Sequence, residues 1–220
     1  VTEPLLVLLR HGQTDANVAK ALDTRPPGAP LNEVGRAQAL AAAARLADER
    51  ITAVYASTAV RAQQTAAPIA ERHGLSVTVV DGVQEVFCGD LEGRADPESR
   101  ALFEEVYAGW SKGEPHRRLP GGESAADLTA RFLPVIERLW RTHATDGQTG
   151  QVLVASHGAA IRIVAGALIG GTAQGRYVPN TGRVVLARRP GADLGRGGWE
   201  LRHWDEAPAQ SGDATGGADD

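Results

Sequence analysis

Only two of the 220 residues are lysine, Lys20 and Lys112, and a single one is cysteine, Cys88. A lone cysteine cannot close a disulfide within the chain, so nothing points to secretion. No apolar run nears the roughly 18 residues that span a membrane. The start, Val1-Thr2-Glu3-Pro4, lacks the basic stretch of a secretory leader, and the run Leu5 to Leu9 is too short for its apolar part. These absences set the expectation of a cytoplasmic protein with no membrane partner. An excess of basic charge is also missing: 27 acidic residues stand against 23 basic ones. A non-specific nucleic-acid binder would be basic, so that class is disfavoured. No G-x-G-x-x-G follows the first apolar run, which argues against a dinucleotide-binding dehydrogenase. What remains is ordinary globular composition, 42% apolar, in a chain long enough for one sizeable core.

Apart from those two lysines, every basic residue is arginine. Arginine's planar fork suits phosphate better than lysine does, although a GC-rich genome gives the same bias. The argument therefore rests on where particular arginines sit. Leu5 to Leu9 is a continuous apolar run that ends in Arg10-His11-Gly12. Such runs are typical of strands buried on both faces of a parallel sheet. Asn32 to Arg50 reads as an Ala-rich helix with Asn32 as N-cap, and Ala53 to Ser57 as a short strand. A helix from Thr58 to His73 closes on Gly74, and Ser76 to Val80 reads as a strand. Asp81 to Arg94 shows no period and reads as a loop. Ala95 to Gly109 reads as a helix with Pro97 in its first turn. After the turn Pro120 to Ser124 a long helix reaches about Thr142, with Pro134 inside it. Gln151 to Ser156 is a strand and His157 to Ile169 a helix, while Val184 to Arg188 and Trp199 to Trp204 form an antiparallel pair. Strands alternating with helices predict an α/β fold: a three-layer α/β/α sandwich whose central sheet is mostly parallel with an antiparallel strand. Residues 1–204 read as one domain, and 205–220 as a polar, flexible tail.

In such sheets ligands collect beyond the carboxyl ends of the strands. Three segments carry polar groups there: Arg10 to Thr14, Ser57 with Arg61 one helical turn later, and Ser156-His157-Gly158. A helix opening at Gly158 offers unpaired N–H groups, and Arg10 and Arg61 can form charge-assisted bonds to phosphoryl oxygens. Histidines beside arginines are disfavoured as imidazolium. A neutral His11 keeps a lone pair and is a nucleophile aimed at phosphorus. His73, His116, His143 and His203 lack this context and read as surface or capping residues. Two histidines could begin a zinc site, but no third ligand at metal spacing accompanies them.

These residues carry a family resemblance. Leu9-Arg10-His11-Gly12-Gln13-Thr14 with Asn17 resembles the signature of the histidine phosphatase superfamily, in its phosphoglycerate-mutase-like branch. Leu31 to Ala39, Ser57 to Ala66, Gln84-Glu85 with Gly89 to Gly93, Pro120 to Ser124 and Ser156 to Gly158 continue it in family order. A lone Arg-His-Gly would be weak; ordered pieces from Leu5 to Ile169 are specific. The resemblance implies His11 as the nucleophile that becomes phosphohistidine, with Arg10, Arg61, Asn17, His157 and Gly158 binding the phosphoryl group. It implies Glu85 as the general acid that protonates the leaving oxygen and then activates water, His157 joining His11 and Glu85 as a catalytic group. Glu92 in the same loop, and Asp81 and Asp90, are rivals for the acid role. It implies no metal and no cofactor, since the arginines supply the positive charge. Cys88 reads as a small buried hydrophobe.

The expected function is metal-independent hydrolysis of a small phosphorylated metabolite. The alternative is the mutase reaction, in which the phosphoryl group returns to another hydroxyl of a sugar acid. Cofactor-dependent mutases resemble this chain in the core but carry a longer insertion and an Arg-His-Tyr run after the acid. Here Val86-Phe87-Cys88 follows Glu85, which favours hydrolysis. A non-catalytic phosphate-binding module is the remaining reading. Candidates for substrate specificity are Gln13, Arg25 in the loop Ala21 to Pro30, and the pair Arg117-Arg118, which also reads as an exposed basic pair. Residues 94–122 are expected to form a lid over the pocket. Phe103, Tyr107 and Trp110 within them sit at helical spacing and read more simply as a stripe facing the core. The sequence leaves a monomer and a homodimer both open.

Overall fold

A computed structural model describes residues 4–143, 149–171 and 176–206. Its centre is a six-stranded sheet in the order β3-β2-β4-β1-β5-β6. The strands are β1 (Leu5–Arg10), β2 (Ile51–Ala56), β3 (Val77–Val79), β4 (Gln151–Ser156), β5 (Arg183–Arg188) and β6 (Trp199–Trp204). β1 to β4 are parallel, and β5 runs antiparallel to both β1 and β6. The mixed sheet therefore has the expected mostly parallel character, with β5 as its reversed strand.

Alternation along β1 sorts its side chains onto two faces. Leu6 and Leu8 join the core beneath α4 (Pro97–Ser111), α5 (Ala125–His143) and α6 (Gly158–Ile169). Val7 and Leu9 join the core beneath α2 (Glu33–Arg45) and α3 (Val60–Arg72). Helices thus cover both faces, which is why β1 reads as uninterrupted apolar sequence. Phe103, Val106 and Trp110 of α4 are buried in the first of these cores. Of the aromatic stripe, Phe103 and Trp110 are core, while Tyr107 is half-buried against it.

Several boundaries differ from the sequence reading. α2 opens on Asn32, whose side chain accepts from Gly35 N, but it stops at Arg45 rather than Arg50. Beyond it Ala47 and Glu49 each donate to the carbonyl three residues back, in tighter turns that feed β2. α4 begins at Pro97 because Asp96 caps it through Ser99 N. A five-residue helix α1 (Asp15–Ala19) was not anticipated. It rests on a capping box between Thr14 and Asn17 and has no apolar period to announce it. The expected tail starts too early: Asp205 is held to β5 through Arg183 N at 3.0 Å. The remainder of that tail, 207–220, lies outside the described residues.

Sheet order builds the site. β4 lies between β1 and β2, and Arg10 at the end of β1 is paired with Ser156 at the end of β4. His11 N donates to Ser156 O and Ser57 N to Ala155 O. The ends of three neighbouring parallel strands therefore converge, each followed immediately by a polar residue.

Candidate active site

The residue after β1 is His11, and the residue after β4 is His157. Their rings meet edge to face with centroids 5.2 Å apart. Both are buried. His11 Nδ1 donates to the carbonyl of Gly12 at 2.7 Å, which fixes the proton on that nitrogen. Nε2 accepts from Arg61 Nε at 3.1 Å, so it carries the lone pair. Burial holds the His11 pKa well below 6.5, and the Arg61 and Arg10 charges push it down further, against the Gly12 hydrogen bond. A neutral imidazole with its lone-pair nitrogen turned toward an arginine is the result.

Gly12 is required by close approach. A Cβ there would lie 2.6 Å from the carbonyl oxygen of Gly35, where α2 starts. Gly12 N in turn donates to Thr65 Oγ1, and that hydroxyl donates to Arg61 O. One threonine on α3 thereby ties the His11 loop to the helix that carries Arg61.

Arg10 and Arg61 are each almost wholly buried, at 1% and 2% exposure. Arg10 donates to Tyr177 OH and to the carbonyl of Val178, both at 2.9 Å. Arg61 donates to the Asp23 carbonyl at 2.7 Å and pairs with its carboxylate at 3.3 Å. His157 Nε2 lies 2.7 Å from Ser57 Oγ, while its buried Nδ1 has no protein partner among the described residues. Burial lowers its pKa first, then Arg61, His11, Arg131 and Arg10. Two buried guanidiniums and an imidazole nitrogen without a protein partner among the described residues concentrate positive potential at one edge of the sheet, which favours an anion there.

Both histidines give the stability a pH dependence. In the unfolded chain each takes a proton near 6.5, and in the folded protein each resists it. The unfolded state then binds more protons, so stability is lost as pH falls below about 6.5, by about 1.4 kcal/mol per pH unit for each histidine. Urea melts at pH 7 and pH 5.5 should show this slope. In a His11→Asn, His157→Asn variant it should flatten.

Glu85 lies in the loop after β3 and is 2% exposed. Its carboxylate accepts from Val86 N at 2.7 Å, Ala160 N at 2.8 Å and Ala159 N at 3.0 Å. Glu85 thus caps α6, which has no capping side chain of its own, just beyond His157. Two first-turn N–H groups that the sequence reading offered to phosphate are therefore taken by this carboxylate. Gly158, the helix's first residue, keeps the position expected of it. Glu92 is occupied elsewhere. It accepts from Thr24 N, Arg25 N, Thr24 Oγ1 and Cys88 Sγ. Burial raises its pKa, but these bonds outweigh burial and lower it overall. That is a staple between two loops rather than an acid facing the histidines. Cys88 is buried against it, as its lone occurrence suggested.

Other candidates are distributed unevenly. Asn17 Oδ1 accepts from Thr14 N and lies 3.4 Å from Asn180 Nδ2, which also donates to His11 O. Gln13 is turned to α2 through Gln38 and Asn32. Arg25 stacks on Phe87 and lines the cavity that contains Glu85. Arg117 pairs with Glu105 and Glu114, and Arg118 with Asp127; neither lines that cavity. Among the described residues, no three His, Cys, Asp or Glu side chains gather in a metal-holding cluster.

Several residues of the site carried no signal in the sequence. Arg131 of α5 pairs with Glu123 and donates to the carbonyls of Gly82, Gln84 and Glu85, so it holds the loop that carries Glu85. Tyr177, Val178 and Asn180 brace Arg10 and His11 from a segment more than 160 residues away. Asp23 competes with any bound phosphate for Arg61. Asp23→Asn removes that negative charge and leaves the backbone acceptor. Inhibition by inorganic phosphate should strengthen about fivefold, on the order of 1 kcal/mol. An unchanged inhibition constant would show that Asp23 is too well screened to matter.

The comparisons with known proteins show the family and the fold. A family model described as histidine phosphatase superfamily (branch 1) matches residues 6–207. A glucosyl-3-phosphoglycerate phosphatase of Mycobacterium tuberculosis is 32% identical over 94% of this chain and 97% of its own. A 2,3-bisphosphoglycerate-dependent phosphoglycerate mutase of a Methylobacterium is 38% identical over 78% of this chain and 84% of its own. The native structure of mycobacterial glucosyl-3-phosphoglycerate phosphatase superposes with a TM-score of 0.78 at 30% identity, covering 92% of this chain and 99% of that one.

Proposed function

The chain belongs to the histidine phosphatase superfamily, branch 1, and on that premise we propose that it hydrolyses phosphomonoesters without a metal, through a phosphohistidine on His11. The observation that carries this reading is the His11 ring, whose Nδ1 proton is tied to Gly12 and whose Nε2 lone pair lies between buried cations. Nε2 attacks phosphorus as the ester P–O bond breaks, and the leaving oxygen takes a proton from Glu85. Water then attacks phosphorus, the P–N bond breaks, and the Glu85 carboxylate takes the water's proton. Arg10, Arg61 and the Nδ1 of His157 face the equatorial oxygens, with Asn17 and Gly158 at the pocket's edge. Fixed charge of this kind needs no reorganisation during reaction.

The leaving group lies on the Glu85 side, in a cavity of about 370 Å3 lined by Thr24, Arg25, Gln84, Phe87, Glu123 and Arg131. Charged side chains at Arg25, Asp81, Glu123 and Arg131 punctuate a mainly apolar lining, which offers hydrogen-bond partners to a small hydroxylated metabolite, the class named for the mycobacterial relatives. We infer a lid from the residues of 94–122 that flank α4, whose own buried face is core, and place the enzyme in the cytoplasm. The mutase reading draws on the Methylobacterium relative. Against it, Arg117 and Arg118 are bound to carboxylates rather than offered to a sugar acid. The test is a panel of sugar phosphates, phosphoglycerates and glucosyl-3-phosphoglycerate in excess EDTA, with 3-phosphoglycerate isomerisation assayed alongside. Phosphate release is the predicted outcome. Isomerisation without release would make the protein a mutase, and restoration of activity only by added metal would overturn the metal-independent chemistry.

A further inference from the structure

A second cavity, of about 360 Å3, opens on the helical layer between α4, α5, α6 and the β5–β6 hairpin. It shares no lining residue with the cavity at Glu85. We propose that it is a second anion site, built for a small organic anion with an apolar body. Lys112, Arg162 and Arg196 line it, and among the described residues no acidic one does. Among the described residues none of these three cations pairs with a carboxylate, in a chain whose net charge is −4. Tyr107 and Trp110 supply the apolar wall.

The two guanidiniums are held in place, while Lys112 is exposed at the end of α4. The Arg162 guanidinium lies 4.5 Å from the centre of the Tyr107 ring and donates to Arg176 O at 3.4 Å. Arg196 donates to Thr129 Oγ1 at 2.8 Å. Pre-positioned guanidiniums lose little freedom when they take an anion. Carboxylate and phosphonate heads share the required charge and geometry, and the cavity has room for a single ring behind either head.

The probe is phenylphosphonate, which carries the head and the ring and cannot be hydrolysed at an ester bond. Titration calorimetry of the wild type should resolve two sites. Orthovanadate, which occupies the His11 pocket, should remove one. The double variant Arg162→Glu, Arg196→Glu should lose the other by at least tenfold while hydrolysing p-nitrophenyl phosphate as the wild type does. Benzoate should bind to the second site if a carboxylate head suffices, and its competition there with phenylphosphonate would confirm a shared site. A single site that vanadate abolishes would overturn the proposal, as would an unchanged second site in the double variant. Circular dichroism of the double variant separates lost binding from lost folding. Failure of the catalytic proposal would appear as a vanadate-insensitive enzyme, a distinct result.

Discussion

His11→Ala is expected to lower phosphomonoesterase turnover by about 10⁴-fold or more while the protein still folds. Removing a nucleophile that acts as one unit with its surroundings costs nearly all the rate the unit supplies. A 10⁴-fold loss corresponds to about 5.5 kcal/mol of barrier. The folded state should tolerate the change. His11 is a desolvated neutral ring between two guanidiniums, and its removal relieves burial of a polar group as well as creating a gap. Arg10, Arg61 and His157 stay behind, so the variant should still bind inorganic phosphate. That residual binding separates a lost nucleophile from a collapsed pocket. Turnover within tenfold of wild type would remove His11 from the chemistry.

Glu85→Gln is expected to cost about 10² to 10³-fold on an alkyl phosphate and less than tenfold on p-nitrophenyl phosphate. An alkoxide needs a proton as it leaves, whereas p-nitrophenolate departs without one. The structure adds a complication that the sequence did not show. Glu85 also caps α6 through Ala159 N and Ala160 N. A glutamine keeps one acceptor oxygen but turns an NH2 toward one of those donors, so some stability is lost as well, about 1 kcal/mol or somewhat more. That loss acts on both substrates alike. The ratio between the two substrates therefore isolates the proton transfer. Equal losses would confine Glu85 to the cap.

Much of the site was legible because its residues sit at positions with a local signature. Arg10-His11-Gly12 and Ser156-His157-Gly158 each end a continuous apolar strand, and parallel β/α topology brings such ends to one edge. Ser57 and Arg61 followed the same logic from β2. The residues that escaped act across the chain. Arg131 reaches the acid's loop from the middle of a helix, where an arginine reads as one more solvated charge. Tyr177 and Asn180 come from an irregular segment before β5, and nothing in their neighbourhood marks them. Asp23 lies in a loop chosen as a pocket wall for Arg25, yet it is the acid beside Arg61. α1 was missed because five residues held by a capping box show no period. The α2 boundary slipped because Ala-rich sequence propagates a helix on paper past the point where tight turns end it.

The central claim is a covalent bond between His11 Nε2 and phosphorus. Rapid acid-free quenching during turnover of a slow phosphomonoester, followed by peptide mapping under alkaline conditions, tests it directly. The account predicts a phosphoryl group on the peptide that contains His11, stable to base and labile to acid, carried on Nε2 and absent from His11→Ala. A turning-over enzyme that never carries phosphate on His11, or carries it on another residue, would contradict it.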